Sequence, residues 1–419
     1  MTLLHRNNFF GNLNSHFKIL QKMKRSVELP SELVVCILSR LPSKSLLRCR
    51  SVCKSWLSFI SSSHFKVSHL DKFNQLNSRY LVRRFILHES KEEYTVHFDD
   101  QNFTLDTNSP IQSPFNFYLS GTEVLSFKII GCCNGVIFFS TDTIGRDEII
   151  LWNPSIRKKL TLIPPMFPRS ELLDLDIYFC FGYLALSDDY IVLRIAKDRG
   201  LSSITTTHVQ IYTVKTAIWR ELVFPKDLSS SIVSSISQVF VNGSVHWVAC
   251  EDIYSATPLS ILTFDMSTEL FGKIHLPDFL VHLDLFQMKL AVVLDSLAVI
   301  YCCRYSAPWN TSCAYEIWAM KEYKKPSSWT MLCKVSFPNN DVGSPLGLTN
   351  NGNLITVGSK EGDVMICNWK RSYTLYGPCS KDDDSKYTFV ERYNESLALL
   401  DHGELDDENE CWFNSYSIG

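Results

Sequence analysis

Apolar residues recur every four positions near the start of the chain and every two positions through most of the remainder. Leu33, Ile37 and Leu41 share one helix face, which Val34 and Leu38 widen. Pro42 ends that helix, because the residue before a proline is pushed out of the α region. Ser43 is placed to cap a second helix carrying Leu46 and Leu47. A third helix repeats the step at Cys49, Cys53 and Leu57, beside Val52, Trp56 and Ile60. Three helices within residues 29–65 cannot bury this much apolar surface among themselves, since a core of fewer than ~40 residues is rarely sufficient. The stretch is either the cap of a larger domain or a docking module whose spare apolar face belongs to a partner.

From Tyr80 onward the pattern predicts strands, with β-branched and aromatic residues at period two and no long helical run. Turn markers punctuate it: Asn134-Gly135, Asp188-Asp189, Asn242-Gly243, Asp295-Ser296 and Asn351-Gly352. Asn-Gly favours hairpins because both central residues of a type I′ turn need positive φ. The markers repeat at steps of 54, 54, 53 and 56 residues. A second series follows each: Ile150-Leu151-Trp152, Gln210-Ile211-Tyr212, Leu262-Thr263-Phe264, Glu316-Ile317-Trp318 and Met365-Ile366-Cys367. Most of these run on to a large apolar residue, Trp219, Phe271 or Trp329.

Two interleaved markers at one period describe a supersecondary unit of four strands, the size of a propeller blade; kelch blades run ~50 residues. Five units are legible. Strands in Tyr80 to Phe98 and in Tyr387 to Leu400, including one over Leu397 to Leu400, supply a sixth and close the ring. The expected fold is mainly β with a small α N-terminal module: three helices, then a kelch-like, six-bladed β-propeller. A β-sandwich built from hairpins is the alternative. The expected organisation is a disordered leader over 1–27, the helical module over 28–70, the β domain over 80–401 and an acidic tail over 402–419.

Composition narrows the function. Hydrophobic residues make up 45% of the 419 and charged residues 20%, as in ordinary globular proteins. A net charge of −3 gives no reason to expect nucleic acid, and the longest nearly apolar run, Leu290 to Cys303, is interrupted by Asp295 and Ser296, so no membrane partner is expected. The leader is basic but lacks both the apolar core of a secretory signal and the bias of a transit peptide. Fourteen cysteines without a signal peptide point to a reducing compartment, hence the cytoplasm and also the nucleus. Their spacing is wrong for a metal: Cys132-Cys133 and Cys302-Cys303 are adjacent, Cys49 and Cys53 lie on one helix, and no CxxC pair exists. They read as small buried hydrophobes. Residues 33–70 hold no acid and six bases, Arg40, Lys44, Arg48, Arg50, Lys54 and Lys66, a surface that steers an acidic partner or an ordinary solvated basic face.

The helical stretch resembles the F-box. The matching residues are Leu29-Pro30, Glu32-Leu33, Ile37-Leu38, Arg40-Leu41-Pro42, Lys44-Ser45-Leu46, Val52-Cys53-Lys54 and Trp56. The resemblance implies a module that binds the Skp-type adaptor of a cullin–RING ubiquitin ligase through Leu29, Pro30, Leu33, Ile37, Leu38, Leu41, Pro42, Leu46, Val52 and Trp56. The β region resembles the F-box-associated domain of plant F-box proteins at Gly131-Cys132-Cys133-Asn134-Gly135, Leu151-Trp152-Asn153-Pro154-Ser155, Ile211-Tyr212-Thr213-Val214 with Trp219-Arg220, and Val241-Asn242-Gly243-Ser244-Val245-His246-Trp247. Phe264 to Glu269, Ile317 to Tyr323 and Tyr393-Asn394-Glu395-Ser396-Leu397 look most like the S-locus F-box branch, whose members recognise secreted-type ribonucleases. Phe181 to Leu186, the leader and the tail depart from the pattern.

No catalytic residue, metal ligand or cofactor is expected. Gly272-Lys273 lacks the rest of a phosphate loop, and no HExxH, GxSxG or RING-type Cys/His set appears. His246 beside Trp247 on a strand reads as a satisfied structural histidine. The expected function is a non-catalytic substrate receptor of an SCF-type ligase, holding a target protein near a ubiquitin-charged enzyme. The alternatives are a non-degradative interaction adaptor and, less favoured by the residues, a propeller glycosidase or lectin. No motif marks the substrate-binding residues.

Overall fold

The computed structural model describes residues 30–86, 91–100, 103–108, 110–114, 127–141, 148–165, 175–185, 187–198, 207–228, 238–250, 258–281, 283, 287–307, 310–337, 342–358, 364–367, 374–376, 388–402 and 404–405. The expected leader and most of the expected tail lie outside them.

Four helices open the described chain: α1 (Ser31–Leu38), α2 (Ser43–Cys49), α3 (Lys54–Ser61) and α4 (Ser63–Leu76). The third expected helix is interrupted between Cys49 and Lys54. Cys49 closes α2, and Cys53 is the extended residue that precedes α3. The break follows from Ser51, whose hydroxyl donates to the Arg48 carbonyl at 2.7 Å and competes with helix continuation. Ser62 then caps α4, its Oγ accepting from the Phe65 N–H at 3.3 Å. Helix α4, which the four-residue step did not reveal, runs on almost directly into the first strand.

The strands form six sheets. Five are up-and-down meanders: β3 (Phe127–Cys133) to β6 (Lys158–Leu162), β7 (Leu175–Leu184) to β10 (Ile218–Leu222), β11 (Gln238–Val241) to β14 (Leu270–His275), β15 (Met288–Val293) to β18 (Trp329–Phe337), and β19 (Val342–Leu348) to β22 (Thr374–Tyr376). The sixth joins both ends of the chain in the order β2 (Lys91–Phe98), β1 (Arg79–Ile86), β23 (Phe389–Tyr393). Bridges from Tyr94 to Ile111 and from His97 to Leu105 give that sheet a partial fourth strand. Strands β3, β7, β11, β15, β19 and β23 touch their neighbours in turn, and β23 returns to β3. The sheets are thus six blades in a closed ring, which excludes the sandwich.

Polar stitches cross between these inner strands. Gln238 Nε2 on β11 donates to the Ile130 carbonyl on β3 at 2.9 Å, and Lys289 Nζ on β15 donates to the Leu346 carbonyl on β19 at 2.7 Å. Apolar layers fill the space between blades, as where Val245, Trp247 and Phe264 meet Ile191, Leu193 and Ile211.

The turn chemistry explains the period. Asn134-Gly135 and Asn242-Gly243 have both residues at positive φ, closing β3–β4 and β11–β12. At the Asp295-Ser296 marker, which has no glycine, the turn slides one residue earlier, to Leu294-Asp295, and Ser296 already begins β16 (Ser296–Ala307). At the remaining two markers only Asp188 and Gly352 are left-handed, in longer turns. The second marker series falls on the third strand of each blade, and Trp219, Phe271 and Trp329 fall on the fourth.

The expected strand over Leu397 to Leu400 is a turn instead. Leu397, Leu399 and Leu400 are buried, and Leu399 is left-handed. Leu397 and Leu400 pack against the helices, while Leu399 packs between the first two blades. Within the expected tail, β24 (Glu404–Leu405) pairs with the outer edge of β6.

Candidate functional site

The helical module has an inner and an outer side. Leu38, Leu46, Cys49, Ile60 and Phe65 form a core completed by Ile156, Leu397 and Leu400 of the ring. Val34, Leu41, Leu47, Trp56 and Phe59 flank it, half-buried. His69 is sealed in the same layer. Its Nε2–H donates to the Leu41 carbonyl at 2.8 Å, its ring lies between Phe65 and Phe73, and burial holds its pKa below the ordinary value.

This division sorts the residues expected at an adaptor face. Leu33 and Ile37 are each 51% exposed, Val52 50%, and the neighbouring Leu57 42%. Pro30 and Pro42 are also exposed. Leu38 and Leu46, at 1% and 0%, sit in the core and support the outer surface from within. Leu41 and Trp56 belong to the core's margin. Leu29 lies outside the described residues. The helix period placed Leu33, Leu38 and Leu41 on one apolar stripe; the ring takes the inner half of that stripe, a choice no local pattern records.

The basic residues divide in the same way. Arg40, Lys44, Arg48 and Lys54 are exposed. Lys66 turns to the ring and pairs with Asp401 Oδ2 at 2.5 Å, with Arg50 Nη2 at 4.0 Å from the other oxygen of that carboxylate. The outer side of the module is therefore apolar at four large side chains and positively charged at four more.

The inner side is fixed by residues 394–401, the segment after β23. Ser43 does not cap α2 with its side chain: Pro42 occupies the cap position, and the Ser43 N–H donates to Glu395 Oε2 at 2.9 Å. Glu395 Oε1 accepts from Arg79 Nη2 at 3.0 Å, and Arg79 Nη1 donates to Asp106 Oδ2 at 3.0 Å. All three charged side chains are buried. Asn74 on α4 pairs with the Glu395 backbone in both directions, donating at 3.1 Å and accepting at 3.0 Å. On its other side the segment is held by blade one. Asn153 Nδ2 donates to the Ser396 and Ala398 carbonyls at 3.1 and 2.8 Å, and Ser155 Oγ meets Tyr393 Oη at 2.9 Å. A Cβ on Gly135 would stand 2.0 Å from the Asn394 carbonyl oxygen, so this turn glycine also makes room for the segment. The sequence marked Tyr393 to Leu397 as a resemblance and as part of a strand region; its hydrogen-bond partners in the helices and blade one lie 238 or more residues away, beyond any local signal.

The other singled-out residues take structural places. His246 is fully buried on β12 (Ser244–Ala249). Its Nδ1–H donates to the Val239 carbonyl at 3.4 Å, its Nε2 accepts from Tyr323 Oη at 2.9 Å, and burial lowers its pKa to about 4. Cys133, Cys180, Cys302 and Cys303 are buried, and burial pushes the Cys133 thiol up to about 12. Among the described residues no three His, Cys, Asp or Glu side chains converge as a metal set. No helix among them is long and apolar enough to cross a membrane.

Comparison with known proteins agrees with both halves. Residues 27–68 match the F-box domain and residues 55–411 the F-box associated beta propeller domain. An F-box/kelch-repeat protein of Arabidopsis thaliana is 26% identical over 370 residues, covering 84% of this chain and 88% of that relative. The F-box protein CPR1 of the same plant is 25% identical over 334 residues, covering 74% and 73%. Among solved structures, an alpha-L-arabinanase of Penicillium chrysogenum complexed with arabinobiose overlays with a TM-score of 0.39 at 11% identity, over 61% of this chain and 84% of that one. The chain belongs to the F-box proteins that carry an F-box-associated β-propeller domain.

Proposed function

We propose that this protein is the target-receptor subunit of an SCF-type ubiquitin ligase. The outer side of the helices binds a Skp-type adaptor, and the ring holds a protein to be ubiquitinated. The observation that carries the reading is the set Leu33, Ile37, Val52 and Leu57, half-exposed on a module whose inner side is already covered by its own ring. Scattered exposed apolar residues are ordinary, but four on one 46-residue module, inside the F-box match, favour a protein partner. The exposed Arg40, Lys44, Arg48 and Lys54 would steer an acidic one.

In this reading the chain performs no bond chemistry. It raises the effective concentration of a target lysine beside an enzyme bound elsewhere in the complex. The work takes place in the cytoplasm and nucleus and needs no cofactor. The S-locus-like stretches at Phe264 to Glu269 and Tyr393 to Leu397 make a secreted-type ribonuclease the first target to examine.

The test is affinity capture of the full chain from plant lysate with the proteasome blocked, followed by the half-life of each captured protein when the receptor is depleted. A captured protein whose half-life lengthens several-fold supports the receptor. Captured partners with unchanged half-lives would make the chain a non-degradative adaptor. Hydrolysis of a glycan panel would contradict both.

A further inference from the structure

Residues 394–401 serve two structures at once. They follow the strand that closes the ring, and they form the wall on which the helices rest. Three of the eight buried residues in the module's core, Ile156, Leu397 and Leu400, belong to the ring. The first turn of α2 takes its anion from Glu395, and α4 reaches the same segment twice, through Asn74 on the Glu395 backbone and Lys66 on Asp401. A module of helices spanning 31–76 is near the ~40-residue size at which an isolated core fails. Without this wall, Leu38 and Leu46 would face water and the α2 N–H groups would lose a buried carboxylate partner.

We propose that residues 394–401 are a positioning element that makes the outer face of the helices conditional on closure of the ring. Only a chain whose β23 is seated against β1 and β3 brings Glu395 to Ser43 and Arg79, and so holds Leu33, Ile37, Val52 and Leu57 in place. An incomplete or unclosed receptor therefore presents no ordered docking face, and entry into a ligase complex follows completion of the chain. The docking step in this inference rests on the proposed receptor reading; the structural coupling does not.

The test uses the full chain with Glu395→Ala, beside Glu395→Gln, which keeps one acceptor oxygen. Hydrogen exchange read by mass spectrometry follows the helices and the ring in one sample, and binding of a recombinant plant Skp-type adaptor is measured in parallel. In Glu395→Ala the amides of α2 and α3 should exchange at least tenfold faster, those of β4 (Val136–Thr141), β8 (Asp189–Asp198) and β12 should be unchanged, and adaptor binding should weaken at least tenfold. Glu395→Gln should fall between. Helix protection and adaptor binding within twofold of wild type would overturn the inference. Faster exchange in β4, β8 and β12 as well would also overturn it, because Glu395 would then be a general stabiliser. A wild-type chain that binds no adaptor would refute the receptor reading alone, and the exchange comparison would still decide the coupling.

Discussion

Ending the chain at Lys381 should abolish the fold. The cut removes β23, whose five residues pair with Arg79 to Arg83 on β1, and the segment behind it. Five large side chains leave with it, Val390, Tyr393, Leu397, Leu399 and Leu400, none more than 7% exposed. At roughly 1.5–3 kcal/mol each their burial contributes on the order of 8–15 kcal/mol. That is an upper estimate, since a denatured chain already covers part of this area. It still matches the 5–15 kcal/mol by which a typical domain is stable. Two further costs add to it. Arg79 keeps Asp106 but loses Glu395 in a buried site, and β1 becomes an open edge available for intermolecular pairing. The assay is soluble yield, size-exclusion elution and far-UV circular dichroism of the truncated chain beside the full one. Insoluble or aggregated protein is the expected result. A soluble monomer with an unchanged spectrum would refute closure through β23.

Two further perturbations separate finer parts of the account. Gly135→Ala and Gly243→Ala impose the same positive-φ strain, but only the first meets a backbone oxygen, so by thermal melting Gly135→Ala should be the more destabilising, with Gly243→Ala costing about 1 kcal/mol; equal losses would contradict the close approach of Asn394. His246 should make the ring acid-labile: its folded pKa of about 4 lies below the unfolded value of 6.5, so the unfolded state binds the extra proton and stability falls as pH drops from about 6.5 towards 4, by up to roughly 3 kcal/mol. Urea midpoints at pH 7 and pH 5 should therefore differ more for wild type than for His246→Gln; an equal pH dependence would place the effect elsewhere.

The repeat was legible because its turns obey local rules. Asn134-Gly135 and Asn242-Gly243 announce themselves through the positive φ that both turn residues need. Leu294-Asp295 does not, since Leu is disfavoured at positive φ, and the apparent marker falls one position later, at Asp295-Ser296. The sixth blade was legible only as leftover strands at both ends; its register is set by long-range pairing between residues 79–83 and 389–393. At the candidate site the period of α1 gave the apolar positions, but the split between Ile37 outside and Leu38 inside depends on the ring. Ser43 looked like a cap because Ser usually is one; the carboxylate that takes its N–H comes from Glu395, 352 residues away. Leu397 to Leu400 looked like a strand because burial of Leu397 and Leu400 against the helices, and of Leu399 between blades, selects the same apolar residues.

The central claim is that the outer side of the helices is an adaptor-docking face, and direct titration with a purified plant Skp-type adaptor tests it. The informative variant is Leu33→Asp/Ile37→Asp, because both side chains are half-exposed and neither belongs to the core that Leu38 and Leu41 serve. Burying the exposed half of each contributes about 1 kcal/mol, and each introduced carboxylate would cost at least as much again to desolvate. The account predicts a nanomolar-to-micromolar complex for the wild-type chain and binding at least a hundredfold weaker for the double variant, with its melting temperature unchanged. Equal affinity for wild type and variant would contradict it.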